Sequence, residues 1–172
     1  PVYIDLRRLV TYPRALEAVA RHYARLLRGL TFDRIAAIPY AALPIGTAVA
    51  LQTGAPLIYP RREAKAYGTR RQIEGEYAPG ERIVLLDDLI SSGGSKLEAA
   101  APLRAEGLVI EDVVVLIDRE QGGAADLAQH GYRLHAAVTL REIVDALVQG
   151  GQLASDDARR VRAYLDRQET GV

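Results

Sequence analysis

Two acidic residues followed by a serine- and glycine-rich loop are the part of this sequence best suited to chemistry. Asp87 and Asp88 come directly after four aliphatic residues, and the loop 91–95 stands before an alanine- and leucine-rich segment. Glycine lets the backbone approach an anion closely, and N–H groups at a helix N-terminus attract phosphate. The carboxylates can accept hydrogen bonds from sugar hydroxyls or organise a hydrated Mg²⁺. This stretch therefore predicts a site for a phosphorylated sugar.

The elements that must position this site follow an alternating order of strands and helices. Residues 83–86 are an unbroken aliphatic run, which is typical of a strand buried on both faces of a parallel sheet. Such alternation indicates the α/β class, with a mainly parallel central sheet flanked by helices and ligands bound beyond the carboxyl ends of its strands. The other predicted strands are 32–38, 57–59, 109–118 and 132–138. Helices are predicted from Pro13, Pro44, Lys96 and Leu140, with a short helix that ends at His130 and a last helix capped by Ser155.

The composition narrows the possible classes of protein. A length of 172 residues suits one domain, and the formal net charge is zero, without the basic run that a nucleic-acid-binding protein would need. Because cysteine is absent, a disulfide framework and a cysteine-ligated metal are excluded. No segment has the apolar length of a membrane span, so we expect a cytoplasmic protein that binds neither nucleic acid nor a membrane.

The polar segment 61–80 interrupts the alternation of strands and helices. It carries Arg61, Arg62 and Lys65 near its start and glycines at positions 68, 75 and 80. A loop of this length inside a compact domain is usually either a functional lid or disordered. The residues alone leave open the alternative of a solvated basic loop.

Three stretches of the sequence carry a resemblance to one family. Residues 83–95 resemble the phosphoribosyl diphosphate (PRPP) motif of type I phosphoribosyltransferases. Residues 61–68 resemble the mobile loop of orotate phosphoribosyltransferases, and residues 116–123 resemble their orotate-contacting strand end. The similarity runs from Pro1 to about Leu147 and is closest to the orotate phosphoribosyltransferase domain of UMP synthases. It implies the type I phosphoribosyltransferase fold with a long mobile active-site loop.

The resemblance implies a role for each matching residue. Lys65, Asp87 and Asp88 would be catalytic, and Ser91 and Arg119 would contact orotate. The forked guanidinium of an arginine suits a carboxylate better than a lysine would. The residues implied to bind PRPP are Tyr40, Arg61, Arg62, Lys65, Tyr67, Asp87, Asp88, Leu89, Ile90, Ser91, Ser92, Gly93, Gly94 and Ser95.

The implied reaction transfers the phosphoribosyl group of PRPP to N1 of orotate, which yields orotidine 5′-phosphate and pyrophosphate in pyrimidine (UMP) synthesis. Relatives need Mg²⁺, which would be held mainly through PRPP and water, near Asp87 and Asp88. Electrostatic stabilisation of the departing pyrophosphate is the main requirement of this chemistry. The resemblance also implies a homodimer in which the loop Arg61 to Gly75 completes the neighbouring site.

The sequence leaves several alternatives open. The chain could be another purine or pyrimidine phosphoribosyltransferase, or a PRPP-binding regulator without catalysis. Arg119 could simply pair with Glu120 or Asp118, and Tyr40 could pack in the core. A regulator of this kind would bind nucleic acid, which the absence of a basic face disfavours.

The domain organisation is expected to be a phosphoribosyltransferase domain at 1–150 and a C-terminal helical tail or connector at 151–172. The helical hood segment that precedes the position of Pro1 in family members is not in this sequence. The tail resembles the connector that leads to the orotidine 5′-phosphate decarboxylase domain of UMP synthases. The sequence is therefore either a piece of such a bifunctional chain or a short stand-alone enzyme.

Overall fold

A computed structural model describes residues 3–61 and 72–169 of the chain. A six-stranded sheet carries helices on both faces, which confirms the predicted α/β class. A 3₁₀ helix, Leu6–Thr11, comes first. The α-helices are α1 (Pro13–Leu27), α2 (Ala42–Thr53), α3 (Gly94–Ala105), α4 (Gly123–Gln129), α5 (Leu140–Gln149) and α6 (Ser155–Glu169). The strands are β1 (Arg34–Ala37), β2 (Leu57–Pro60), β3 (Ile73–Glu74), β4 (Arg82–Ile90), β5 (Val109–Asp118) and β6 (Arg133–Thr139).

β4 lies between β1 and β5 in the interior of the sheet. The strand order is β3-β2-β1-β4-β5-β6, and neighbours run parallel except for the antiparallel pair of β2 and β3. Parallel pairing brings the carboxyl ends of β1, β4 and β5 to the same edge, where ligands of such sheets bind. The last residues of β4 therefore reach the middle of this edge.

The aliphatic run at 83–86 is buried on both faces of the sheet, as predicted. Ile83 and Leu85 pack on the side of α3 and α4, whereas the other two side chains pack on the side of α1 and α2. Each of these four side chains is at most 2% exposed. Because successive strand residues point to opposite faces, Asp87 is directed to the side of α3.

β4 is longer than its aliphatic run, so the acidic pair lies inside the strand and not after its end as predicted. Pairing with β5 continues through Asp87 with Val115 and Ile90 with Asp118. Strand pairing thus fixes the backbone on both sides of the acidic residues. A buried carboxylate is tolerated within the strand because a lysine of α3 neutralises it, as described below.

Two short elements have no counterpart among the predicted elements. The 3₁₀ helix Leu6–Thr11 is capped by Asp5, whose carboxylate accepts from the backbone N–H of Arg7 at 3.2 Å. β3 is a two-residue strand that pairs with β2 inside the predicted loop 61–80. Elements this short contain too few residues for a hydrophobic period to reveal them.

The C-terminal segment forms a small apolar cluster of its own. α6 packs against α5, and Ala158 and Leu165 of α6 are fully buried between the two helices. α5 begins with a capping box in which Thr139 and Glu142 satisfy each other's backbone N–H groups. Within residues 3–61 and 72–169, no helix has the length and apolar character needed to cross a membrane.

Candidate active site

A cleft of about 350 Å³ opens at the carboxyl end of β4. Its walls come from the N-terminal segment, the turn after β1, the end of β4 and the start of α3. The structure therefore brings together parts of the chain that are up to about 90 residues apart. Among the residues predicted to bind PRPP, those that line this cleft are Tyr40, Asp87, Asp88, Leu89, Ser91 and Ser95.

Asp87 is neutralised by a lysine from α3. Lys96 Nζ lies 2.7 Å from Asp87 Oδ2, and the two residues are only 4% and 7% exposed. The same ammonium donates to the carbonyl of Leu89 at 2.6 Å and contacts Ser95 Oγ at 3.2 Å. Paired charges with further hydrogen bonds are the form in which charges are tolerated inside a protein. Lys96 thus links the first acid of the pair to both ends of the loop 91–95, which is called the phosphate loop below.

Asp88 is half-buried and has a different electrostatic environment. Its Oδ1 accepts from the backbone N–H of Leu89 at 2.8 Å, and its own N–H donates to Asp87 Oδ1 at 2.9 Å. Burial, followed by the negative charge of Asp87, raises the pKa of Asp88 to about 6. The carboxyl therefore loses its proton below neutral pH and is an acceptor for hydroxyl groups at pH 7.

Tyr23 holds the backbone of the acidic pair in place through a hydrogen bond from α1. This residue of α1 is fully buried, and its hydroxyl donates to the backbone carbonyl of Asp87 at 2.6 Å. Burial raises the pKa of Tyr23 well above its ordinary value, and the nearby carboxylates raise it further. The phenol therefore remains a neutral donor that fixes the position of the Asp87 backbone.

The phosphate loop joins β4 to α3. Because α3 begins at Gly94, its first N–H groups have no acceptor within the helix. Gly93 N–H donates to Asp126 Oδ2 of α4 at 3.0 Å. Ser92 and Ser95 are exposed on the loop. One donor of the loop is thus engaged by a carboxylate of α4. Binding of a phosphate by the other groups of the loop stays a prediction.

Tyr40 lies on the wall of the cleft at the turn after β1. Its side chain is 61% exposed, which excludes core packing as its role. The peptide bond between Pro39 and Tyr40 is cis. Ala41 follows on the same wall and offers only backbone groups for a polar contact. A contact of Tyr40 with PRPP stays a prediction.

Arg61 lies beside the cleft at the end of β2. It lines a neighbouring hollow of about 200 Å³ that shares Pro39 and Ser95 with the cleft. Its side chain forms an ion pair with Glu74 of β3, and its N–H donates to the carbonyl of Gln72 at 2.7 Å. The structure therefore places one of the predicted basic residues beside the cleft that holds the acidic pair. Arg62, Lys65 and Tyr67, which are also predicted to bind PRPP, lie outside the described residues.

Arg119 follows directly after β5 and is held next to the phosphate loop. Its backbone N–H donates to the carbonyl of Ile90 at 2.9 Å. The Ile90 side chain is fully buried in the core. A contact of Ile90 with PRPP stays a prediction. The neighbouring Glu120 is engaged by Arg141, with Nε 3.2 Å from Oε1. Contact between Arg119 and orotate stays a prediction.

The sequence pattern does not identify the residues that support the site. It predicts Lys96 only as the start of a helix, although positions 96, 100 and 103 form the buried face of α3. A lysine at an apolar-face position just after an acidic pair is a usable signal for a buried ion pair. Tyr23 belongs to the predicted apolar stripe of α1, and its contact with Asp87 spans 64 residues of sequence. No local pattern reports a contact of that kind.

The donor set of the cleft fits a magnesium ion that is bound together with substrate. Within residues 3–61 and 72–169, no cluster of three or more acidic, histidine or cysteine side chains could hold a metal. Asp87 and Asp88 supply carboxylate oxygens on the cleft wall. Mg²⁺ is commonly bound through one or two carboxylates, water and the phosphates of a substrate. The residues present suit that arrangement.

Comparison with models of protein families finds no match to this chain. The bifunctional enzyme PyrF/PyrE of Nostoc sp. is 46% identical over 153 residues, which cover 89% of this chain and 32% of that protein. The orotate phosphoribosyltransferase of Caenorhabditis elegans is 36% identical over 167 residues, which cover 96% of this chain and 74% of that protein. The structure of UMP synthase from Leishmania donovani matches with a TM-score of 0.92 at 47% identity, over 97% of this chain and 36% of that chain.

These similarities extend over nearly the whole of this chain. The chain spans about a third of the length of the Nostoc and Leishmania proteins and about three quarters of the Caenorhabditis enzyme. The TM-score of 0.92 confirms the predicted type I phosphoribosyltransferase fold. The Caenorhabditis enzyme is 36% identical to this chain over most of its own length, which shows a shared family and not only a shared fold. This chain belongs to the orotate phosphoribosyltransferase family.

Proposed function

We propose that this chain transfers the phosphoribosyl group of PRPP to N1 of orotate, which gives orotidine 5′-phosphate and pyrophosphate in the synthesis of UMP. The observation that carries the proposal is the cleft at the end of β4, where Asp87 and Asp88 stand directly before the phosphate loop. Arg119 lies at the end of the adjacent strand, tied to the carbonyl of Ile90. This arrangement supports a sugar site at the acidic pair, a phosphate site at the following loop and a cation for orotate at the adjacent strand end.

The acidic pair would hold the ribose of PRPP. Ribose hydroxyls donate hydrogen bonds, and an ionised carboxylate only accepts them. Lys96 and Tyr23 fix Asp87 from two sides, at its carboxylate and at its backbone carbonyl. Asp88 is half-buried and lines the cleft. The 5-phosphate would lie against the loop N–H groups at the start of α3.

The reaction separates charge at C1 of the ribose. The bond to pyrophosphate breaks, N1 of the anionic orotate adds from the opposite face, and positive charge develops on the sugar between these events. Arg61, which lines the hollow beside the cleft, is proposed to stabilise the departing pyrophosphate together with Arg62 and Lys65. Arg119 would hold the orotate carboxylate. Mg²⁺, when bound, neutralises charge on the pyrophosphate group.

The choice of base distinguishes this proposal from its alternatives. The experiment supplies PRPP and Mg²⁺ with orotate, uracil, hypoxanthine, guanine and adenine in turn and measures nucleotide formation. Orotate should be the substrate with the highest kcat/KM, and removal of Mg²⁺ with a chelator should stop turnover. Faster turnover of another base would replace the proposal with the purine or uracil reaction. Absence of turnover with every base, together with PRPP binding, would favour a non-catalytic regulator.

We further propose a homodimer in which the loop 61–75 completes the neighbouring site. A mixture of Lys65→Ala and Asp88→Asn proteins tests this directly, because each hybrid dimer would contain one intact site. About a quarter of wild-type activity should return after subunit exchange. Dimers that exchange subunits without recovering activity would contradict a shared site. Fusion to a decarboxylase domain and a cytoplasmic location stay predictions.

A further inference from the structure

The loop that follows Arg119 is held by the C-terminal helix. Gln121 Nε2 donates to the Tyr164 hydroxyl of α6 at 3.0 Å. Glu120 accepts from the N–H of Arg141 at 2.9 Å, and the guanidinium of that arginine reaches Asp166 of α6, with Nη2 2.9 Å from Oδ1. Two separate chains of contact therefore connect α6 with the two residues that come immediately after Arg119.

The backbone of this loop needs such support. Glu120 has a φ of +55°, in the left-handed region that residues with a Cβ rarely adopt. Its N–H donates to Asp118 Oδ1 at 2.8 Å, which closes a tight turn at the end of β5. Because Arg119 is the central residue of this turn, a change in the turn changes the direction of its side chain.

α6 packs against α5 through buried apolar side chains, which fix its position. Ala158 and Leu165 are fully buried against α5, where Leu140 and Val144 are 2% exposed. α5 itself begins directly after β6, which pairs with β5 as far as Asp118. The helix pair is therefore fixed to the same edge of the sheet from which Arg119 emerges.

We propose that α6 positions Arg119 for the base, with Tyr164 and Asp166 as positioning residues. This inference rests on the proposed function, because it assigns Arg119 to orotate. The PRPP side of the cleft is supported separately, by the contacts of Asp87 with Lys96 and Tyr23. Loss of the α6 contacts is therefore expected to weaken the binding of the base and to leave PRPP binding unchanged.

The test compares two variants of α6. Tyr164→Phe combined with Asp166→Asn removes the hydroxyl that accepts from Gln121 and the charge that pairs with Arg141, while the ring and the size of each side chain are kept. Arg162→Gln is the matched control, because Arg162 forms an ion pair with Asp145 that joins α6 to α5 without touching the loop. KM for orotate, KM for PRPP, kcat and the thermal midpoint are measured for both variants and the wild type.

The double variant should raise KM for orotate about three- to tenfold, with KM for PRPP within twofold of the wild type and a thermal midpoint like that of the control. The control should leave both KM values unchanged. An unchanged KM for orotate in the double variant, or an equal rise in both KM values, would overturn the proposal.

Hydrogen exchange separates this inference from the proposed function. Amides of residues 119–122 should exchange faster in the double variant than in the wild type, and not in Arg162→Gln. Unchanged exchange there would show that α6 does not hold the loop, even if orotate is the substrate. Faster exchange in a protein that turns over another base would leave the positioning role intact and would refute the assignment of orotate.

Discussion

The ammonium group of Lys96 lies 2.7 Å from the carboxylate of Asp87, and both side chains are almost completely buried. One residue belongs to the strand that carries the acidic pair and the other to the helix that follows the phosphate loop. The ion pair therefore joins the two elements that flank the phosphate loop. The carboxylate that is proposed to hold the ribose is thus fixed by a neighbouring lysine.

Replacement of Lys96 by methionine should destabilise the protein. The change leaves the Asp87 carboxylate buried without its partner, and breaking a buried pair in this way costs about 3–5 kcal/mol. The midpoint of urea denaturation measures the loss. Addition of Asp87→Asn to Lys96→Met should recover part of the stability, because no charge then remains buried.

The control for this experiment is Arg21→Gln, which removes an exposed ion pair with Glu17 in α1. Its effect should stay below about 0.5 kcal/mol. If Lys96→Met were as stable as Arg21→Gln, the buried pair would not have the energetic role assigned to it.

Replacement of Asp88 by asparagine should stabilise the protein at neutral pH. The folded-state pKa of Asp88 is raised from 3.8 to about 6, so the free energy of unfolding falls as the pH rises through this window and levels off above it. Asparagine removes this penalty. The expected gain is about 1–2 kcal/mol near pH 7.5, after a discount for solvent screening of a half-buried group.

The gain in stability from Asp88→Asn should depend on pH, because it comes from the ionisation of Asp88. Near pH 4 the wild-type carboxyl is protonated in the folded state and partly protonated in the unfolded state, so the difference between the two proteins should nearly vanish. Denaturation of both proteins at several pH values provides the measurement. A gain that is the same at every pH would indicate packing and not ionisation as its cause.

Replacement of Tyr23 by phenylalanine should loosen the acidic pair without creating a cavity. The change removes the donor that satisfies the buried carbonyl of Asp87, at a cost of about 1–2 kcal/mol. KM for PRPP should rise as well, because the carbonyl belongs to a residue of the cleft. Tyr12→Phe is the matched control, since Tyr12 is 54% exposed and should change stability by less than about 0.5 kcal/mol. Equal thermal midpoints for the two variants would refute the supporting role of Tyr23.

Replacement of Gly123 by alanine should disturb the phosphate loop. A Cβ at this position would lie 2.6 Å from Cγ1 of Ile90 and 2.8 Å from the carbonyl oxygen of Ser91. Neither backbone nor a fully buried side chain can yield easily, so a loss of about 1–3 kcal/mol is expected together with weaker PRPP binding. Gly29→Ala, which meets nothing within 4 Å, is the control in calorimetric binding and denaturation experiments. Normal PRPP affinity in Gly123→Ala would show that α4 and the loop can separate without consequence.

The strands could be predicted where burial on both faces requires a run of aliphatic residues. The run at 83–86 is aliphatic because both of its faces are covered. The acidic residues after it could be assigned to the cleft because ligands of parallel sheets bind at the carboxyl ends of the strands. The boundary of β4 could not be predicted, because two acidic residues follow the aliphatic run and conceal that the strand continues to Ile90. Their place in the sheet depends on pairing with β5 and on Lys96.

The supporting contacts of the site depend on tertiary structure. Tyr23 and Asp87 are 64 residues apart, and Gln121 and Tyr164 are 43 residues apart. Each partner alone has an ordinary explanation, as an aromatic residue of a helix or as a polar residue of a loop. Only the packing of α1 and α6 against the edge of the sheet brings these partners together.

The central claim is that the cleft around the acidic pair transfers a phosphoribosyl group to orotate. The most direct measurement quantifies orotidine 5′-phosphate and pyrophosphate formed from orotate and PRPP by the wild type and by Asp88→Asn. The wild type should release both products in equal amounts, and the variant should lose at least about tenfold in kcat/KM for PRPP, as expected for a lost hydrogen bond to a charged group. Turnover by Asp88→Asn at the wild-type rate, or no nucleotide from the folded wild-type protein, would contradict the claim.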